Sequence, residues 1–335
     1  MATLSDVAAL AGVSVSAVSR VLSNAPATRV SDDTRERIHA AAKTLDYRPN
    51  FAGRALKTSR SQVIALVVPD LTNAIFTELM RGVEDAAIAR DYMVLLGRAE
   101  DMQPGGAMIE RLIGEGRVDG MLVQLAEDVT SADVDRLMAG RAPVVLINSV
   151  EAGHPGSVVL DDERAARLGT EHLLKLGHRR LGLITGVPES FSGQRRADGF
   201  RLAMAAASID VDEALITCLG YEPRAGREAF RTLMTADDAP TAILVANVNA
   251  AIGALAEARS LGISVPDDVS VVALHDAWTA ENTWPPLTTV RMPLYELGRR
   301  AAEAVFARMS GGAVSDVTVA DVAPELIERE STASL

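Results

Sequence analysis

The sequence holds one cysteine, Cys218, in 335 residues. A lone thiol can neither staple a fold nor build a thiolate zinc site. It sits in Leu215-Ile216-Thr217-Cys218-Leu219, which reads as a buried strand carrying an inert core thiol. Aromatic residues make up only 4% of the chain, so packing falls to Ala, Val, Leu and Ile. No apolar run approaches the ~18 residues that span a bilayer. The N-terminus has neither a basic patch nor an apolar stretch of the secretory kind. The expectation is a cytoplasmic protein with no membrane partner. Catalytic signatures are missing too: no P-loop, no GxGxxG after a strand, no GxSxG elbow and no His/Asp/Glu set at metal spacing. Neither a cofactor nor a metal is expected, and an enzyme is the weaker reading.

What is present suits a folded chain of two or three domains, with 48% hydrophobic and 23% charged residues. The net charge of −12 argues against nucleic acid, but its distribution does not. Residues 1–60 carry nine Lys/Arg against five acids, a balance of +4, which leaves −16 on the remainder. A small basic module on a large acidic body fits one end that touches phosphate.

The first 50 residues read as three short helices. Leu4 to Ala11 has apolar residues at helical spacing, Thr3 as N-cap and Gly12 as terminator. Ser14 caps Val15 to Ser23, with Val18, Val21 and Leu22 facing inward. Ser31 caps Asp32 to Leu45, whose inner stripe is Ile38, Ala41, Ala42 and Leu45; Asp32 and Asp33 suit its positive end. Two short helices joined by a glycine turn, then a supporting helix, form a helix-turn-helix. Pro49 breaks the chain direction, and Asn50 can cap a segment from Phe51 to Lys57 that is too short to be a stable helix alone.

From Ser61 the pattern becomes strand–helix alternation. Strands are expected at 63–68, 93–96, 120–123, 144–147, 181–185, 215–218, 242–245 and 269–274. Helices are expected at 75–90, 104–115, 131–138, 162–176, 194–207, 224–235, 250–261 and 295–309, the last returning to the first lobe. Such alternation gives parallel sheets with right-handed crossovers. The fold class is an all-α helix-turn-helix headpiece plus α/β, with two doubly wound parallel-sheet lobes. Ligands of such sheets bind beyond the carboxyl ends of the strands, here in the cleft between lobes.

The run from Thr3 to Ala8 with Ala11-Gly12-Val13-Ser14 and Val18-Ser19-Arg20-Val21-Leu22 closely resembles the headpiece of the lactose-repressor (LacI/GalR) family. Val30 to Arg35 and Tyr47 to Leu56 do so as well. Later markers are His172-Leu173, Gly177 to Arg180, Arg196 to Phe200, Pro240-Thr241-Ala242, Ala246-Asn247 and Pro285 to Val290, so the resemblance covers almost the whole chain. It implies a sequence-specific transcription regulator, a repressor by the family's default, whose partner is a double-stranded DNA operator. Val15 and Ser16 open the helix whose side chains reach base edges. Arg20 would pair with guanine, or contact phosphate alone. Ser14, Ser19 and Asn24 are read as phosphate contacts, Ser14 also as a cap. In this family the hinge folds into a helix on DNA and a leucine wedges the central base step. Leu56 matches that leucine, or is an ordinary linker residue; Arg54 and Lys57 would meet phosphate, and Asn50 belongs to the same DNA-facing set. Two residues more than the common spacing lie between Arg20 and Val30, and Arg29 could add a backbone contact there. Ala17 replaces a common threonine and Gly53 a common alanine, the latter weakening a hinge helix by about 1 kcal/mol.

The resemblance further implies lobes of the periplasmic-binding-protein type and a small-molecule effector, with sugars first. It puts effector contacts at Asp70, Phe76, Gln124, Asn148, Arg196, Tyr221, Asn247, His275, Asp276 and Trp284. Arg196 would fork onto a carboxylate or paired hydroxyls. Asn247, Gln124 and Asp276 would order hydroxyls, and Tyr221, Phe76 and Trp284 would offer apolar faces. Asp276 has the alternative of capping local backbone, and Trp278 and Trp284 of packing a loop. His178 reads as a structural helix-end residue. His275 stands where an acid is common and Val248 replaces another acid, so a carboxylated or phosphorylated ligand gains weight if His275 is cationic. The domains expected are 1–48 headpiece, 49–60 hinge helix and linker, and 61–335 effector-binding and dimerisation domain. Its first lobe is about 61–161 plus 292–320 and its second about 162–291 plus 321–330. A palindromic operator needs a two-fold homodimer, with helices such as 75–90 and 250–261 at the interface. The tail lacks leucine heptads, which favours a dimer over a tetramer. The rival reading is a sugar-binding protein without a DNA role; the headpiece and the missing signal count against it.

Overall fold

The computed structural model describes residues 2–22, 30–48, 59–102, 106–126, 129–140 and 142–335. The chain divides into a unit Met1–Ser61 and a unit Gln62–Leu335.

The first unit is built by capping and by a small apolar centre. In α1 (Leu4–Ala11) the Thr3 hydroxyl accepts from the Asp6 amide, and the Asp6 carboxylate accepts from the Thr3 amide at 2.8 Å. This reciprocal box satisfies two amides that the helix start would otherwise leave bare. Gly12 closes the helix at φ 67°, and the chain turns by 105° into α2 (Val15–Leu22). The Ser14 hydroxyl accepts from the Ala17 amide at 3.2 Å. α3 (Asp32–Thr44) starts at the Ser31 cap. Val7, Ala8 and Ala11 meet Val18 and Val21 of α2 and Ile38, Ala41 and Ala42 of α3 in one buried cluster. The helix-turn-helix arrangement is therefore present.

The second unit contains two parallel sheets. The first has the order β2-β1-β3-β4, from β1 (Val63–Val68), β2 (Met93–Arg98), β3 (Gly120–Val123) and β4 (Val144–Leu146). β1 is apolar on both faces because both are covered. Ala65 and Val67 pack with Ile109, Leu112 and Val134, while Ile64, Leu66 and Val68 pack with Leu79 and Val83. Each such buried Val or Leu contributes about 1.5–3 kcal/mol. The helix Leu294–Met309 returns to this sheet and lies on the helix Phe76–Ile88. Two glycines permit the approach. A Cβ on Gly82 would lie 2.0 Å from the Tyr295 carbonyl oxygen, and one on Gly298 would lie 2.1 Å from that of Leu79.

The second sheet has β6 (Leu181–Thr185), β7 (Ile216–Cys218), β8 (Ala242–Val245), β9 (Ser270–Leu274), β10 (Thr288–Arg291) and β12 (Glu325–Ile327), in the order β12-β10-β9-β8-β6-β7. Only the β10–β12 pair among these is antiparallel. A two-stranded sheet joins β5 (Val158–Leu160) to β11 (Val317–Val319). β5, β10, β11 and β12 are not among the strands expected from the sequence; each has three or four residues and is held by its pairing with β11, β9, β5 and β10 respectively.

Several boundaries move for identifiable reasons. The helix expected from 194 starts at Phe191, because the Ser190 hydroxyl accepts from the Gly193 amide at 3.2 Å. The helix expected from 250 starts at Val248, because the Asn247 side chain caps it. That helix buries Ala250, Gly253, Ala254 and Ala258 and packs along Pro223–Met234 of the same chain. Cys218 is not a core thiol: it lies on the edge strand β7 and is partly exposed, with burial pushing its thiol upward. His178 is structural; its Nε2–H donates to the Ala333 carbonyl at 3.1 Å and Nδ1 meets the Thr241 hydroxyl at 2.9 Å.

Candidate functional site

The N-terminal face is set by the rotation of α2. Val18 and Val21 point into the cluster, so Ser14, Val15, Ser16 and Arg20 stand on the outside and Ser19 is half-buried between them. Val15 is 44% exposed, an apolar side chain at the tip of a helix that packing does not require there. The Ser14 and Ser16 hydroxyls lie 3.1 Å apart, and Arg20 Nε donates to the Ser16 carbonyl at 3.2 Å. A guanidinium, two hydroxyls and a small apolar group thus share one helix surface. Asn24, Arg29, Asn50, Arg54, Leu56 and Lys57 lie outside the described residues.

In the larger unit the second site is centred on Arg196, which is 4% exposed. Its Nε donates to Asp162 Oδ1 at 2.8 Å, Nη1 to the Ala246 carbonyl at 2.6 Å and Nη2 to His275 Nε2 at 2.9 Å. The Tyr221 ring lies 5.4 Å from the guanidinium carbon, and its hydroxyl meets Ser190 Oγ at 3.0 Å. All these groups stand at the carboxyl ends of β6, β7, β8 and β9 or at the helix starts that follow β5 and β6. Asp162 is fully buried, and burial pushes its carboxyl up while Arg196 opposes the rise. Burial alone would lower Arg196, but Asp162 and Tyr221 hold it above its ordinary value.

Two expectations need correction here. Arg196 is not an unengaged fork: its Nε, Nη1 and Nη2 already donate to Asp162, the Ala246 carbonyl and His275. His275 is not cationic. Burial, then the neighbouring guanidinium, holds its ring well below the usual histidine range, and Nε2 is an acceptor. Its φ of 65° is unusual for a non-glycine residue, and such strain collects at working sites.

The remaining expected contacts divide by how their polar atoms are used. The Asn247 Oδ1 accepts from the Asn249 and Ala250 amides and caps the helix that follows. Asp276 accepts from Thr289 Oγ1 at 2.8 Å and pairs with Arg291 at 2.8 Å and Arg329 at 2.9 Å, which hold its carboxyl below the ordinary range despite burial. Asn148, at φ 52°, accepts from the Leu160 amide through Oδ1, and its carbonyl accepts from Ser192 Oγ at 3.5 Å across the two lobes. Asp70 accepts from the Thr72 amide at 2.8 Å and remains exposed. Phe76 is buried in the first lobe's core against Leu79 and Val83, so its ring offers little surface. Trp284 is 85% exposed. Gln124 follows β3, with its Oε1 buried and without a hydrogen-bond partner among the described residues. Asp162 Oδ2, His275 Nδ1 and Thr279 Oγ1 share that condition.

Comparison with known proteins agrees with both halves of this geometry. Residues 3–50 match the model for bacterial regulatory proteins of the lacI family, and residues 170–332 match a periplasmic binding protein-like domain. The HTH-type transcriptional regulator DegA of Bacillus subtilis is 32% identical over 99% of this chain and 98% of its own. The chain belongs to the lacI family of bacterial regulatory proteins. Among solved structures, the lac repressor dimer bound to operator and the anti-inducer ONPF superposes with a TM-score of 0.82 at 26% identity, covering 99% of both chains. The transcriptional regulator CelR in complex with cellobiose gives 0.71 at 30% identity, over 99% of this chain and 100% of that one. This family member thus carries a DNA-binding helix-turn-helix and an effector-binding α/β domain, and its curated relatives are named as regulators rather than enzymes.

Asp162 was not among the residues singled out by sequence. It sits in Asp161-Asp162-Glu163, which reads as acids favouring a helix start. Asp161 alone makes the cap, accepting from the Arg164 amide at 3.2 Å. Asp162 is flanked by Asp161, Glu163 and Arg164, so nothing in the local sequence marks it as the acid that turns inward.

Proposed function

We propose that this lacI-family member is a cytoplasmic repressor that binds a palindromic operator as a homodimer and is controlled by a sugar or related metabolite in the inter-lobe cleft. The observation that carries the DNA reading is the outward face of α2, where Val15, Ser16 and Arg20 stand together while Val18 and Val21 anchor the helix. A small apolar group suits a thymine methyl, and an arginine suits guanine O6 and N7. Asn24, Arg29, Asn50, Arg54, Leu56 and Lys57 complete the proposed contact set, with Leu56 as the wedge. The similarity to the lac repressor dimer bound to operator supports this reading.

Support for the dimer comes from the edge strand β2. Met93 and Leu96 are exposed there, as is Ile88 at the end of the preceding helix. An apolar sheet edge left open invites association, and a two-fold partner would cover it. The effector reading draws support from the buried polar atoms at the strand ends and from the cellobiose complex of CelR. Ligand-driven rotation of the lobes would change how the two hinges meet, shifting operator affinity by a coupling of about 1–3 kcal/mol.

The test is selection of binding sites from random double-stranded DNA at near-physiological salt. A palindrome with a central CG step is expected. Enrichment of no sequence, with or without a metabolite mixture, would refute operator binding.

A further inference from the structure

The buried cluster at the cleft has a polarity that discriminates between ligands. A carboxylate or phosphate grips a guanidinium with two parallel bonds along its Nε/Nη2 edge or its Nη1/Nη2 edge. In Arg196 the first edge is taken by Asp162 Oδ1 and His275 Nε2, and Nη1 of the second already donates to the Ala246 carbonyl. The charge of Arg196 is matched by Asp162, and both side chains are out of solvent. His275 Nε2 accepts a hydrogen bond, so in the neutral ring the proton resides on Nδ1, which becomes a donor. That Nδ1–H has no acceptor among the described residues, and Asp162 Oδ2 has no donor. Buried polar atoms are rarely left so, and two of them flank a single guanidinium.

Building on the effector reading above, we infer that Asp162 Oδ2 and His275 Nδ1–H form a paired reader for an uncharged ligand, one that offers an acceptor oxygen to His275 beside a hydroxyl or N–H group for Asp162. An anionic ligand group fails on three counts. It finds both guanidinium edges engaged, it faces the Asp162 carboxylate, and it leaves Oδ2 without a donor. The cleft therefore selects against carboxylates and phosphates at this point, the reverse of what a cationic His275 would do. Gln124 Oε1, also buried and unpartnered, asks for a second donor from the ligand on the first-lobe side.

The test exposes the full-length protein to a deproteinised metabolite extract and identifies the retained compound by native mass spectrometry. The compound is then titrated into the parent, H275L and H275Q. The expected ligand is uncharged at neutral pH. H275L removes the donor without supplying an acceptor and should weaken binding about 10- to 100-fold, the effect of unmaking one buried polar contact. H275Q can accept from Arg196 and still donate, so it should recover part of that loss. Retention of a carboxylate or phosphate, or unchanged binding by H275L, overturns the pair while leaving ligand sensing intact. No retained compound at all overturns sensing, and the pair with it. If H275L does not fold, nitrogen NMR of the parent's imidazoles decides: a His275 that carries its proton on Nε2, or is doubly protonated at pH 7, overturns the assignment.

Discussion

Removing the Asp162 carboxylate should destabilise the larger unit more than almost any single substitution of a polar residue. Asp162 and Arg196 have side chains 0% and 4% exposed, joined at 2.8 Å. In D162A the guanidinium keeps its charge and its burial but loses its counter-ion and one acceptor. Breaking a buried pair from one side costs about 3–5 kcal/mol. Total stabilities are about 5–15 kcal/mol, so this is a large fraction. The melting temperature should fall on the order of 10 °C, at roughly 2–4 °C per kcal/mol for a domain of this size. D162N keeps the shape and one acceptor and should fall between parent and D162A. The double change D162L/R196M removes both charges and should be far milder than D162A, since the cost lies in the orphaned charge. Urea unfolding at pH 7, followed by far-ultraviolet circular dichroism, measures all four proteins. A D162A midpoint within about 1 kcal/mol of the parent would show that Arg196 reaches solvent or another acceptor, and would refute this account.

Acidification should weaken the larger unit through its histidines. Burial lowers His172 and His178 below the usual 6.5, so the unfolded chain binds more protons; stability present above that value is lost as pH falls through and below it. H178Q should flatten a urea-midpoint profile taken between pH 7 and 5. G298A should destabilise by more than about 1 kcal/mol, because its Cβ would lie 2.1 Å from the Leu79 carbonyl oxygen and two packed helices would have to separate. R20A should lower affinity for the selected operator by about 1–3 kcal/mol and relax the preference at one base pair, read by fluorescence anisotropy on single-base variants. L96K on the exposed edge strand should shift sedimentation of the full chain toward monomer without lowering its melting temperature.

The fold was readable where one local rule acted alone. The limits of α1, β3, β6, β8 and the helix Ser131–Met138 follow from caps and apolar runs that nothing else contests. Reading failed where tertiary pairing makes an element, as at β5 and β11, which are three-residue strands held by each other across more than 150 residues of chain. The site was legible in position and less so in state. Arg196, His275 and Asp276 could be placed at strand ends, but not the network that uses up their charges. Asp162 looked like an ordinary helix-start acid because a sequence does not reveal which of two adjacent aspartates points inward. The ion pairs of Asp276 were hidden from sequence because Arg291 and Arg329 are 15 and 53 positions away.

The positions of those two aspartates give the proposed sensor a route from ligand to lobe movement. Asp162 follows β5 by two residues, where the chain passes from the first sheet's side to the helices of the second. Asp276 is next to His275, and its carboxylate grips Arg291 at the end of β10, three residues before the helix that returns to the first lobe. The Asn148–Ser192 bond joins the lobes close to the same level. A ligand drawn between Asp162 and His275 therefore acts on two of the chain's crossings at once. Packed interiors change between discrete arrangements more readily than they deform smoothly. Small displacements at the Arg196 cluster would on this reading become rotation of a whole lobe, with Asp276 linking the end of β9 to the end of β10. Disabling that link in D276N should leave ligand affinity nearly intact while reducing the ligand's effect on operator binding, an outcome that separates transmission from recognition.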